Sequence, residues 1–191
     1  MHPRFKFVNI AVTTLLFSLS FFQVPDVVRR SPWVAQAQDL MATLPDGTYQ
    51  VCSEPEAKDL PFGSGVCFWF HKANNRVVGN YGYPNSDIFI CVSGEIEGNT
   101  TQGEALAVSW PSETWEKIPE SSFQWDEEGH LTLNNGSIID TVYSDLGRTD
   151  WIEFRSAKLE LNGFYQYRES AVDGNSIPKA CSVEGVKNAS Q

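Results

Sequence analysis

From residue 47 to residue 110 the chain is a succession of short β-forming runs. Each is stopped by Gly, Pro, Asn or Asp. Residues 47–53 (GTYQVCS), 66–72 (VCFWFHK), 76–83 (RVVGNYGY), 88–97 and 101–110 are rich in Val, Ile, Thr, Phe, Tyr and Trp. Asn74-Asn75, Pro84-Asn85-Ser86-Asp87 and Gly98-Asn99 separate them, and these residues tolerate the positive φ of tight turns. No window beyond residue 37 repeats apolar residues at helical spacing. Such a pattern commits the chain to an all-β fold.

The pattern weakens after Pro111. Residues 112–121, with Pro111 just before them and Pro119 within, carry several charges and read as a loop. Residues 123–125 and 130–133 flank Asp126-Glu127-Glu128-Gly129, a hairpin turn. Short strands are expected at 137–142, 150–155, 158–161 and 164–168. Eight to ten sequential antiparallel strands follow. The expected architecture is a small antiparallel up-and-down barrel, calycin-like, whose closure removes exposed edges. An open β-sandwich is the alternative.

Two hairpins fix a register. With Asn74-Asn75 as the turn, Phe68 faces Tyr81 and Trp69 faces Asn80. With Gly98-Asn99 as the turn, Gly94 faces Gly103. Gly94-x3-Gly98-x4-Gly103 is no phosphate cradle: the spacing is wrong, and neither a helix pattern nor a Lys-Ser/Thr pair follows. Gly94 and Gly103 lie inside strands, where glycine marks a bend or a gap that another group fills.

Residues 1–37 read as a signal peptide. His2, Arg4 and Lys6 precede a 16-residue apolar run, 7–22, and Ala35-Gln36-Ala37 offers a cleavage site after Ala37. The run is shorter than the ~20 residues a spanning helix needs. A 15-residue spacer containing Pro25 and Pro32 makes an uncleaved anchor the alternative. Cleavage removes Arg4, Lys6, Arg29, Arg30 and Asp26, and the formal charge moves from −10 to −13. The remaining 154 residues suffice for a single β domain, 38–168, followed by a polar tail, 169–191, tethered by Cys181. A surface this acidic repels phosphate backbones and anionic membranes, so nucleic acid is excluded as a partner. No second segment is apolar enough to span a membrane.

Cys52, Cys67, Cys91 and Cys181 form an even set behind an export signal, which reads as two disulfides in a periplasmic or extracellular protein. Spacings of 15, 24 and 90 include no close metal-binding pair. Three connectivities are open; Cys52–Cys67 would staple a long loop between neighbouring strands and leave Cys91–Cys181.

The aromatics, 13% of the chain, supply the binding candidates: Trp69, Tyr81, Tyr83 and Trp110. Small barrels hold apolar or ring-shaped ligands in aromatic-lined cavities, though the same rings also serve as core. His71 and His130 stand beside turns and read as solvated. No nucleophile elbow, zinc-binding helix or calcium loop occurs, so no catalytic residue, metal or cofactor is assigned. Glu95 and Glu97 share a strand face and are the only basis for a hydrolytic reading.

The run "GVCFWFHKANNRVVGNYGYPNSDIFICVSGEIEGNTTQGEALAVSW", residues 65–110, resembles a group of secreted cyanobacterial proteins of no established activity. The likeness extends loosely to Tyr167 through "FQWDEEGHLTL" and "GFYQYR". It implies export and a β-rich domain, and it carries over no site residue. The expected function is a small-ligand-binding module for an apolar or aromatic molecule. The alternative is a ligand-free envelope-surface or protein-interaction domain, with a hydrolase as the third reading.

Overall fold

The turn residues act where the alternation places them. Asn74 (φ 55°) turns β2 (Cys67–Ala73) into β3 (Arg76–Gly82). Gly98 (φ 62°) turns β4 (Phe89–Glu97) into β5 (Thr100–Ser109). Asn99 is not at positive φ, so the positive φ falls on the first central residue alone, as a type II′ hairpin requires. The expected registers hold: Phe68 pairs with Tyr81, Trp69 with Asn80 and Gly94 with Gly103.

The computed structural model describes residues 40–57, 63–109, 118–168 and 173–189. The predicted signal segment, 1–37, and Trp110 lie outside them. The other strands are β1 (Gly47–Cys52), β6 (Phe123–Gln124), β7 (Leu131–Ser144), β8 (Gly147–Glu160) and β9 (Tyr165–Gln166). All nine belong to a single antiparallel sheet in the order β6-β7-β8-β5-β4-β3-β2-β1-β9, curled as a half-barrel. Its edges, β6 and β9, are two residues each, too short to build a closing ladder between them.

Two details depart from the expected sequence of strands. β5 pairs next with β8 instead of β6, so the simple meander ends there. The four short strands expected between 130 and 161 are two long ones of 14 residues. Bulges make that length possible. Arg155 and Ser156 together oppose Glu104, and Ile139 is the extra residue between Ile138 and Asp140. The first bulge changes the parity of β8, so both Phe154 and Ala157 face the core.

The inner face is filled. Phe68, Phe70, Tyr81, Ile90, Leu131, Leu133, Phe154 and Leu159 are fully buried there. Phe68 stacks on Phe70 at 4.7 Å. A short helix, α1 (Leu40–Thr43), adds Met41, whose N–H donates to Asn99 Oδ1 at 3.1 Å. Gly94 and Gly103 leave no gap. A Cβ on Gly94 would stand 2.3 Å from the Gln102 carbonyl oxygen, and one on Gly103 2.1 Å from that of Ser93. The pair marks a close approach of backbones beside the β5–β8 bulge, and glycines placed this way let sheets curl.

The outer face is covered by residues 173–189, which hold a 3-10 turn (Gly174–Ser176) and helix α2 (Val183–Ala189). Ile177 packs in a cluster with Cys52, Cys67, Trp69 and Tyr167. Val186 packs with Cys91, Leu106 and Trp151, and Lys187 Nζ lies 5.3 Å from the Trp151 ring. Disulfides join Cys52 to Cys67 and Cys91 to Cys181. Cys181 is therefore one of several tethers on the tail.

Candidate functional site

Alternation places one cross-strand row on the outer face. Thr48 of β1 pairs with His71, His71 with Val78, Val78 with Ser93 and Ser93 with Glu104. The tail crosses above this row, and a cleft of about 560 Å³ remains between the two. His71, Ala73, Arg76, Val77, Val78, Ser93 and Glu104 line it from the sheet, and Lys179, Ala180, Cys181 and Ser182 from the tail. A second cleft of about 350 Å³ shares Arg76, Ser93 and Glu104 with the first and adds Gly94, Gly103 and Arg155.

The polar groups of the row are placed by hydrogen bonds. His71 Nε2 lies 3.0 Å from the Gly174 carbonyl oxygen. A carbonyl only accepts, so Nε2 donates to it, and Nδ1 meets the Thr48 hydroxyl at 2.8 Å. His71 thus ties the tail to β2 instead of standing free in solvent. The Ser93 hydroxyl donates to Glu104 Oε1 at 3.2 Å. Arg76 faces Glu95 at 3.6 Å with both side chains well exposed, whereas Lys179 has no ion pair or hydrogen bond among the described residues.

The predicted aromatic residues do not converge on this cleft. Trp69 lies on the outer face beneath Ile177. Its indole Nε1 and the Oδ1 of its register partner Asn80 are both buried without hydrogen-bonding partners. Tyr81 points the other way, into the inner core, and its hydroxyl also has no partner. Burial, and then the neighbouring Asp126 carboxylate, push its pKa far above the usual tyrosine value.

Tyr83 joins Tyr81 around Trp125, at centroid separations of 6.4 and 5.7 Å. The Tyr83 hydroxyl donates to Glu128 Oε2 at 2.8 Å. Burial, followed by that bond, pushes its pKa up to about 12. The turn at 126–129 is more than a charged tip. Asp126 is buried and accepts from the N–H groups of His130 (3.0 Å) and Leu131 (2.8 Å). His130 is likewise not simply solvated, because its ring meets Phe164 edge-on at 4.8 Å. These aromatics fasten the β6–β7 turn to the end of β3.

Glu95 and Glu97 are exposed. One pairs with Arg76, and the other accepts from Gln102 Nε2 at 2.9 Å. Among the described residues, no three His, Cys, Asp or Glu side chains gather to hold a metal ion. No helix among them is long and apolar enough to cross a membrane.

The cleft residues His71, Arg76, Glu104 and Lys179 were missed by reading the sequence for aromatics. The available signal was register: the two hairpin turns place His71 beside Val78 and Ser93 beside Glu104. The β3–β4 pairing that joins these halves had no turn as tight to reveal it. No protein family, curated protein or solved structure matches the chain.

Proposed function

We propose that the protein is an exported small-ligand-binding module whose ligand occupies the outer-face cleft. The observation that carries this reading is the cleft itself: about 560 Å³, walled by the sheet on one side and by residues 179–182 on the other. Ligand pockets commonly measure roughly 300–1,000 Å³. The aromatic interior expected from the sequence is filled by its own side chains, so the reading moves from the inside of the curl to its outside. Val78, Ala73 and Ala180 give the cleft an apolar lining suited to the apolar ligand expected from the sequence. Export is supported by the N-terminal pattern and by two disulfides, which persist in oxidising compartments.

Native mass spectrometry of protein taken from its host's exported fraction tests the reading. A small molecule should accompany the wild-type chain and be absent from Ser93→Trp, whose indole fills the cleft. Persistent absence from the wild type counts against it.

One observation favours the second reading, protein interaction. β6 covers only Thr132 and Leu133 of β7, so the edge of β7 beyond Leu133 meets no strand among the described residues. Ile138, Ile139, Val142, Tyr143 and Leu146, five of the six large exposed hydrophobic residues among the described ones, sit on this arm. Open apolar edges pair with other strands, and a second copy offers the same edge. Sedimentation across a concentration series decides: one monomer mass throughout removes this reading.

A further inference from the structure

The cleft's charges narrow what it holds. The chain is strongly acidic, at −10 over its full length. The cleft departs from that background. Arg76 and Lys179 line it beside Glu104, and Glu95 pairs with Arg76, so charges of the two signs balance there while the chain as a whole is acidic. His71 adds hydrogen bonds to Thr48 and Gly174 that anchor the wall.

The two cations differ in how they are held. Lys179 has no partner among the described residues. Several cations elsewhere are more closely held: Arg148 by Asp150 at 2.8 Å, Lys72 by the Asn74 carbonyl at 2.7 Å, and Lys187 by the Trp151 ring. Arg76 is held only by an exposed pair with Glu95, the kind of contact that contributes little and yields readily. Glu104 accepts from Ser93 and stands opposite. A doubly charged anion would meet Glu104 and Glu95, whereas a single negative charge is matched by Lys179, the lining cation without a partner among the described residues. The walls beside the cations are Val78, Ala73 and Ala180.

We infer that the cleft binds an apolar monocarboxylate, with its carboxylate at Lys179 and Arg76 and its hydrocarbon or ring against Val78 and Ala180. This rests on the ligand-binding reading above and names the ligand class. The carboxylate accepts charge-assisted hydrogen bonds from the ammonium and guanidinium groups. The apolar body removes the valine and alanine surfaces from water.

The test titrates the disulfide-intact protein with benzoate and octanoate, with their uncharged amides, and with inorganic phosphate, followed by amide NMR shifts and calorimetry. Shifts should centre on Val78, Ser93 and Ala180. At least one acid should bind about tenfold more tightly than its amide, and phosphate should bind more weakly than that acid. Lys179→Gln should lower the acid's affinity about tenfold, while Lys187→Gln, on the same tail but outside the cleft, should leave it unchanged. Added salt should weaken the acid and spare the amide. Equal binding of acid and amide, or no effect of Lys179→Gln, overturns the monocarboxylate inference and leaves an uncharged ligand in the cleft. Failure of both acids to shift any cleft residue also overturns it. The ligand-binding reading itself stands or falls on the native mass spectrum of the exported protein.

Discussion

The two faces of the sheet are buried by different means. The inner face is covered by its own curl: strands far apart in the sheet bring Phe68, Tyr81, Phe154 and Leu133 into one cluster. The outer face carries Trp69, Leu106 and Trp151, which the curl turns outward. It borrows residues 173–189 to cover them. The inner arrangement leaves a dense core. The outer one leaves a seam where the tail does not fit closely over the row from His71 to Glu104, and the cleft is that seam. In this fold, core and candidate site are therefore opposite sides of the same strands.

Removing the tether of the outer face should have the largest effect. The Cys91–Cys181 disulfide closes a span of 90 residues, against 15 for Cys52–Cys67. Chain-entropy reasoning gives about 4–5 kcal/mol for the longer loop and about 3 for the shorter. Paired Cys91→Ser and Cys181→Ser substitutions should therefore cost more in urea denaturation than Cys52→Ser with Cys67→Ser. Access points the same way. Cys181 is partly exposed, while Cys52 and Cys67 are wholly buried beside Tyr167 and Ile177. Mild thiol followed by alkylation and mass mapping should label Cys91 and Cys181 first and raise the binding of a hydrophobic dye. Equal labelling of all four would break the contrast between the faces.

Truncations on the two faces should differ by a smaller amount. Leu133→Ala opens a cavity in the inner core and should cost about 3 kcal/mol. Val186→Ala shortens a side chain beneath which only the tail rearranges, and about 1 kcal/mol is expected. Comparable losses would show that the tail is packed as tightly as the sheet. Between them stands Gly103→Ala. Its new methyl group meets the Ser93 carbonyl oxygen, a backbone atom that cannot swing aside, and overpacking of this kind costs about 2 kcal/mol. A neutral result, read from the same urea curves, would remove the glycine pair from the account of the curl.

The sequence carried one half of this arrangement better than the other. Turn chemistry at Asn74-Asn75 and Gly98-Asn99 fixed both hairpin registers, and alternation then put Trp69 and Tyr81 on opposite faces. The β5–β8 pairing was hidden because it joins segments separated by more than 40 residues, with no turn between them to set a register. The long strands were hidden because Asn135 and Gly136 look like a stop. Asn135 does take a positive φ of 56°, yet the β7–β8 ladder resumes at Gly136. The cleft was hidden for a different reason. Four of its eleven lining residues come from a polar tail with no periodic pattern, held in place by the Cys91–Cys181 disulfide, by Ile177 and Val186, and by the His71–Gly174 hydrogen bond.

The smallest expected effect lies in Tyr81, whose hydroxyl is buried on the inner face without a hydrogen-bonding partner among the described residues. Replacing a buried, unbonded hydroxyl by hydrogen removes a desolvation penalty without opening a cavity, so Tyr81→Phe should be neutral or slightly stabilising at pH 7. Its larger signature is at alkaline pH. Burial, and then Asp126, raise the folded-state pKa of Tyr81 above the ordinary value of 10.0. In the unfolded chain the phenol loses its proton near pH 10, while in the folded chain it keeps it. The stabilisation is fully present below about pH 10 and declines as pH rises beyond that value. Tyr83, raised to about 12, declines in the same direction between about 10 and 12. Denaturation curves between pH 9 and 11 should therefore show a shallower loss of stability in Tyr81→Phe than in the wild type. Parallel pH profiles would mean that the Tyr81 phenol ionises in the folded protein, and that the inner face admits water as freely as the seam on the outer one.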